Sequence, residues 1–241
     1  MTRSNSKVLS ALRSEMQELG DPKKAKILEG FFKTRPGEYG EGDRFLGVNV
    51  PSLRGIAKKY EGLTLSEIDQ LLSSPIHEER LTSLLVLVQK YSKSQEYEKK
   101  EIVEYYLRNA SRINNWDLVD LSAPQILGAF LLSEKNRRVL YKFSKSKNLW
   151  ERRISIIATL TFIRNDQFDD ALEISAILLN DKHDLIHKAV GWMLREVGNR
   201  NISREELFLR EHYRNMPRTM LRYAIEKFPE RRRRAYLESK I

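Results

Sequence analysis

Two carboxylates, Asp117 and Asp120, follow an indole in the segment Asn114-Asn115-Trp116-Asp117-Leu118-Val119-Asp120. On a helix, side chains three or four residues apart share a face, so Trp116 pairs with Asp120 and Asp117 with Asp120. Asp117 reads as a helix-start residue, stabilised by the macrodipole and the free amides of the first turn. Asp120 lies among Leu118, Val119 and Leu121, where a carboxylate needs a partner or a purpose. The purpose that fits is a positive centre, supplied by a cationic substrate or transition state. Trp150 and Trp192 repeat the pattern with Arg153 and Arg195 three residues on. An indole packs on a sugar or base and attracts a cation by roughly 0.5–2 kcal/mol. Trp150, directly after Leu149 at a helix start, reads as core packing. Trp116, with polar neighbours on both sides, does not.

The charge balance favours a polyanion as partner. The 241 residues carry 43 Lys and Arg against 33 Asp and Glu, a net charge of +10, which points to nucleic acid. Cysteine is absent, which excludes disulfides, thiolate zinc sites and cysteine nucleophiles. His77, His183, His187 and His212 are scattered; His183 and His187 share a helix face but offer no metal cluster. No apolar run approaches the roughly 18 residues of a membrane span, and the N-terminal segment has only isolated apolar residues. A soluble, cytoplasmic protein is expected. Gly37, Gly40, Gly42 and Gly47 fall in one irregular stretch, 33–47, but no Gly-Lys-Ser/Thr follows them. Glu41 and Asp43 would repel phosphate there. That stretch reads as a structured connector, in which Asp43 or Glu41 holds Arg44 or caps a helix.

The elements that must position these side chains read as helices throughout. Asp21-Pro22, Val50-Pro51 and Ser74-Pro75 each place proline at a first helical position. Thr64 with Glu67, and Ser203 with Glu206, fit the capping box. Apolar residues recur at helical spacing, as in Leu81, Leu84, Leu85 and Val88, and strand-like alternation is missing. Four segments also align so that Arg80, Asp117, Arg153 and Lys188 fall 37, 36 and 35 residues apart. Second helices are expected between them, at 94–109, 134–143 and 166–179. A two-helix unit at this period is the mark of HEAT- or armadillo-like arrays. The expectation is one all-α domain over 1–241, a solenoid of stacked antiparallel helix pairs with a concave basic face. Trp116, Asp120, Arg153 and Trp192 are expected to converge on that face.

These segments resemble a known family. Asn115-Trp-Asp-Leu-Val-Asp120, Asn148-Leu-Trp-Glu-Arg-Arg153, Lys188-Ala-Val-Gly-Trp-Met-Leu-Arg-Glu196 and Phe45-Leu-Gly-Val-Asn-Val-Pro-Ser-Leu-Arg54 are similar, in order and spacing, to segments of the AlkD-type DNA alkylation-repair glycosylases. The resemblance spans roughly residues 20–230 and implies HEAT-like repeats around duplex DNA. It also implies excision of cationic N3- or N7-alkylated purines, as in base excision repair, by a monomer without metal or cofactor. By resemblance, Asp120 matches the catalytic carboxylate, Trp116 and Trp192 the aromatic walls beside the lesion, and Arg153 an arginine of the cleft. Arg54, Lys188 and Arg195 match positions that touch backbone phosphates. Phe31 stands beside the lesion where the best-known members carry tyrosine, so a hydroxyl is lost there. Val50 replaces a hydroxyl residue able to bond phosphate, and the Gly-Glu-Tyr-Gly-Glu-Gly-Asp insert resembles a separate branch.

The implied chemistry suits the residues. An N3- or N7-alkylated purine is already charged and leaves without a general acid. A carboxylate at Asp120 would stabilise the oxocarbenium-like sugar and position a water. Most glycosylases flip the base into a pocket, whereas the resemblance implies a lesion left in the duplex. The rival readings are a non-catalytic binder of damaged or distorted DNA and a protein–protein scaffold.

Overall fold

One helix organises the N-terminal half of the chain. In the computed structural model, which describes residues 2–241 with side chains from residue 7 onward, His77–Lys93 is buried from His77 to Leu87. A helix buried on every face is a core helix. Contacts cluster into two compact units, Met1–Ser122 and Ala123–Ile241. No strand occurs among the described residues; the one extended pairing is a parallel bridge between Arg44 and Ile76. The expected all-α class holds.

The N-terminal unit contains α1 (Thr2–Glu18), α2 (Pro22–Phe31), α3 (Val50–Lys59), α4 (Leu65–Leu72), α5 (His77–Lys93), α6 (Glu96–Arg108) and α7 (Trp116–Asp120). Asp21 caps α2, accepting from the Lys23 and Lys24 amides at 2.9 and 3.2 Å, with Pro22 first in the helix as expected. Thr64 and Glu67 form the expected reciprocal box. Asn49 caps α3, which moves Pro51 to its second position. Pro75 does not open α5. Its carbonyl instead accepts from the Arg44 amide at 3.0 Å, and the Arg44 carbonyl accepts from the His77 amide at 2.8 Å. This bridge substitutes for the side-chain cap that α5 lacks. Against α5 pack Leu53, Ile56 and Ala57 of α3 and Ile68, Leu71 and Leu72 of α4, all buried. Leu9, Leu12 and Met16 of α1 complete the core. Each buried leucine or isoleucine contributes roughly 1.5–3 kcal/mol.

The C-terminal unit opens with a π-helical turn, Pro124–Gly128, running into α8 (Ala129–Leu131). It continues through α9 (Arg138–Ser144), α10 (Leu149–Ile157), α11 (Leu160–Arg164), α12 (Asp169–Leu178), α13 (Asp184–Arg200), α14 (Ile202–His212), α15 (Arg218–Ala224) and α16 (Glu230–Leu237). Its centre is α13, on which α10, α12, α14 and α15 pack. Gly191 lets α15 approach, since a Cβ there would lie 2.4 Å from the Met220 carbonyl oxygen.

The intermediate helices appear near their expected places, as α6, α9 and α12. The middle one begins four residues later than 134, because Arg137 bonds the Leu131 and Leu132 carbonyls at 3.0 and 2.8 Å and turns the chain first. The expected box at 203–206 does not form. Asn201 caps α14, accepting from the Arg204 amide at 3.1 Å, and Glu206 pairs instead with Arg232 at 2.5 Å. Arg80, Arg153 and Lys188 sit fourth or fifth in their helices, but Asp117 sits second in the short α7. The repeat spacing survives while its helical phase does not. No described helix is long and apolar enough to cross a membrane.

Candidate active site

A cleft of about 480 Å³ opens in the N-terminal unit. One wall is α2, which buries none of its residues yet turns Lys24, Ile27, Leu28 and Phe31 toward the cleft. Spacings of three, one and three place these four on one helical stripe. Phe31 stays 62% exposed and Ile27 69%. Uncovered apolar side chains in a concave setting mark a surface built for a ligand. The opposite wall is α7 with Trp116, Asp117, Asp120 and Leu121.

Aromatic rings connect the walls. The Phe32 ring lies 5.2 Å from the Trp116 indole with 10° between their planes, and Phe31 meets the same indole edge-on at 5.9 Å. Phe45 stacks on Phe32 at 5.1 Å and on His77 at 4.7 Å. Phe32 and Phe45 are buried, Trp116 half-buried. The indole is thus braced by a buried stack while part of it faces the cleft.

Beneath the rings lies an ionic network that the sequence did not reveal. The first four residues of α5, His77-Glu78-Glu79-Arg80, are all buried. His77 contacts Asp43 through Nδ1 at 3.2 Å and Asp117 through Nε2 at 2.7 Å. Burial opposes its charge, but the Asp117 carboxylate and the two hydrogen bonds prevail, and its pKa is pushed up to about 9. Both ring nitrogens then donate. Arg80 reaches the other Asp43 oxygen at 2.7 Å and donates to the Ser74 carbonyl at 3.0 Å. Burial raises the Asp43 carboxyl, yet His77 and Arg80 together hold it below the usual carboxylate range. Glu78 accepts from the amides of Leu46, Gly47 and Val48 at 2.8–3.3 Å. Glu79 pairs with Arg13 of α1 at 3.1 Å. Two carboxylates, Asp43 and Asp117, thus balance two cations, His77 and Arg80.

The helix carrying the candidate carboxylate hangs from this network. Asn115 caps α7 at the Trp116 amide and donates its Nδ2 to Asp43 at 3.1 Å. Asp117 accepts from the Leu118 amide at 2.9 Å, consistent with a helix start, but its second oxygen belongs to His77. Asp120, one turn further, lines the cleft. Behind it the Tyr106 hydroxyl is fully buried and bonds Ser122 at 2.9 Å. Its pKa is raised by burial and, more weakly, by the charge of Asp120.

Phe31, Trp116 and Asp120 are therefore gathered in one cleft. Arg54 is exposed on α3, and Val50 lines the cleft's rim. The remaining predicted residues lie in the C-terminal unit. Trp192, half-buried on α13, donates its Nε1 to Glu196 at 2.9 Å. Arg153 is buried on α10 and donates to the Leu185 carbonyl at 2.6 Å. Lys188 pairs with Asp184 at 2.7 Å, and Arg195 with Glu226. Trp150 is buried, as its place after Leu149 suggests. His183 caps α13 at the Leu185 amide, and His187 bonds the Asp181 carbonyl. In the connector, Asp43 holds Arg80 and His77 rather than Arg44, and Glu41 bonds the Gly37 amide at 2.8 Å. The connector's Tyr39 hydroxyl donates to the Phe31 carbonyl at 3.4 Å. The missed residues were His77, Arg80 and Asn115. For His77 and Arg80 the one signal was four consecutive polar residues ahead of the apolar run of α5; for Asn115 it was only its place directly before Trp116.

Comparison with known proteins bears on the family and the fold. The sequence model of the family described as DNA alkylation repair enzyme matches residues 12–228. Among solved structures, a predicted DNA alkylation repair enzyme from Enterococcus faecalis superposes with a TM-score of 0.68 at 16% identity, covering 88% of this chain and 97% of that one. AlkD2 from Streptococcus mutans superposes with a TM-score of 0.56 at 17% identity, covering 86% and 98%. The smu.31 protein of Streptococcus mutans gives 0.52 at 16% identity, covering 87% and 96%. At such identities these structures speak for the fold alone. No curated protein matches the sequence.

Proposed function

Since this chain belongs to the DNA alkylation repair enzyme family, we propose that it is a glycosylase releasing cationic N3- or N7-alkylated purines from duplex DNA. The observation that carries the reading is the cleft itself, with a braced but partly open indole, Trp116, one helical turn from the carboxylate of Asp120. An alkylated purine carries a positive charge, so its N-glycosidic bond breaks with the electron pair passing to the base, which leaves neutral. The C1′ cation that remains needs a negative charge close by, and Asp120 supplies it. Water then attacks C1′ and gives its proton to Asp120. The Trp116 face attracts the cationic nucleotide before cleavage.

Trp192 and Arg153 are proposed for the same reaction on the likeness of their segments, and Phe31 as a substrate contact on its place in the cleft. Arg54, Lys188 and Arg195 are proposed to contact phosphates, which makes duplex binding salt-dependent. The protein is proposed to act as a cytoplasmic monomer without a cofactor. The test is release of 3-methyladenine and 7-methylguanine from methylated duplex DNA by the purified protein. Release of either supports the reading. Binding without release leaves a non-catalytic DNA binder.

A further inference from the structure

The geometry points to His77 as a positioning residue that sets the orientation of Trp116 and Asp120 through two separate routes. The polar route runs from Nε2 to Asp117, which stands between Trp116 and Asp120 on α7. The aromatic route runs from the imidazole to Phe32 at 4.9 Å, and from Phe32 to the Trp116 indole at 5.2 Å. One ring therefore fixes both the backbone and the side chain of the site helix.

A helix needs such a device when it is too short to define its own direction. The five residues of α7 make little more than one turn, and forming a first turn is unfavourable without outside contacts. Those contacts come from Asp43, which holds His77 and Asn115 together, and from His77, which holds Asp117. The groups facing the imidazole are Asp43 from the connector, Asp117 from α7 and Arg80 from its own helix. Facing two carboxylates, the ring is held as an imidazolium that donates from both nitrogens. A neutral ring has one proton and can serve only one carboxylate. Losing the proton therefore releases either Asp43 or Asp117. The inference rests on the proposed reaction for its catalytic consequence, but not for the linkage itself.

The linkage is tested first by titrating the wild-type protein. Proton NMR of the wild-type protein follows the His77 ring signal and the Trp116 indole signal, assigned with His77→Gln and Trp116→Phe, from neutral to alkaline pH. Both should move with one shared midpoint near 9, and Asp43→Asn should lower both midpoints together. A Trp116 signal that ignores the His77 titration overturns the inference. The catalytic arm compares His77→Gln with wild type on methylated duplex. A displaced site helix should lower kcat on the order of 10²-fold with KM nearly unchanged. A lower melting temperature with kcat retained also overturns it. If the wild-type protein releases no base, the proposed function fails, while the NMR titration still decides the linkage.

Discussion

The ring of Phe32 lies parallel to the indole of Trp116, while its neighbour Phe31 meets that indole edge-on from an exposed position. Adjacent phenylalanines thus have opposite duties, one bracing and one facing outward. Phe32→Ala should lower the free energy of unfolding by about 3–5 kcal/mol, since it empties a buried aromatic site. Phe31→Ala should leave stability within about 0.5 kcal/mol and show its effect in substrate affinity. Urea denaturation of both variants separates the two; equal losses would contradict the assignment.

Asp120→Asn should keep duplex affinity and lose base release by about 10²–10³-fold, the usual effect of removing one electrostatic stabiliser. Asp117→Asn is not the neutral control that a helix-start residue would provide. It weakens the hold on a buried imidazolium and should cost on the order of 3 kcal/mol of stability. Base release, duplex binding and melting temperature, measured on both, give distinct patterns. An Asp120→Asn protein that releases base at the wild-type rate would remove Asp120 from the chemistry.

The His77 network makes stability fall toward alkaline pH. The unfolded imidazole loses its proton near 6.5, whereas the folded one keeps it to about 9. Its contribution is complete below 6.5 and is lost as pH rises through 9, on the order of 3 kcal/mol in all. Asp43, held low in the folded state, acts oppositely, and its contribution fades as pH falls below the carboxylate range. Denaturation at intervals from pH 5 to 10 measures this slope, which His77→Gln should flatten above pH 6.5.

Glu205 of α14 produces a second alkaline slope that starts lower. Burial and the charge of Glu206 raise its carboxyl to about 9, with Arg195 opposing. The carboxyl occupies the space left by Gly198, where a Cβ would lie 1.7 Å from its Oε2, and its Oε1 has no hydrogen-bond partner among the described residues. Folded Glu205 keeps its proton while the unfolded side chain ionises from pH 4.5 upward. Glu205→Gln should therefore stabilise the protein at pH 7 by up to about 3 kcal/mol. A melting temperature that falls at pH 7 would refute this account.

Arg195 is already engaged by Glu226, so a phosphate bound there would have to compete for it. Arg195→Ala should weaken duplex binding alike across sequences and reduce the salt slope by about one. Glu226→Gln should strengthen binding. Affinity titrations across several salt concentrations measure both, and an unchanged slope in Arg195→Ala would exclude the contact.

Helices were legible wherever one residue type dictates local geometry, as with Asp21-Pro22 and the box of Thr64 and Glu67. The failures came where a second group, near or far in the sequence, competed for the same backbone. Arg137 delayed α9 by binding carbonyls behind it, Asn201 captured the start of α14, and the Arg44–Ile76 bridge displaced Pro75 from the start of α5. Within the site, Trp116 and Asp120 could be singled out because an indole and a carboxylate stood at helical spacing, whereas Phe31 was legible only through the family resemblance. The His77 network could not be singled out, because His77 stands 34 residues from Asp43 and 40 from Asp117 and meets both only in the folded chain.

Glu78, gripping three successive backbone amides at the end of the connector, separates the loop's length from the site's alignment. Beyond that grip the tip at Arg35–Glu38 is exposed and bonded to itself, with the Arg35 amide on the Glu38 carboxylate at 3.0 Å. Lengthening a flexible tip costs only about 0.6 kcal/mol per doubling. A fluorophore or affinity handle inserted there would report from the neighbourhood of Phe31, whose carbonyl already receives the loop's Tyr39, while the anchor holds residues 46–48 in place.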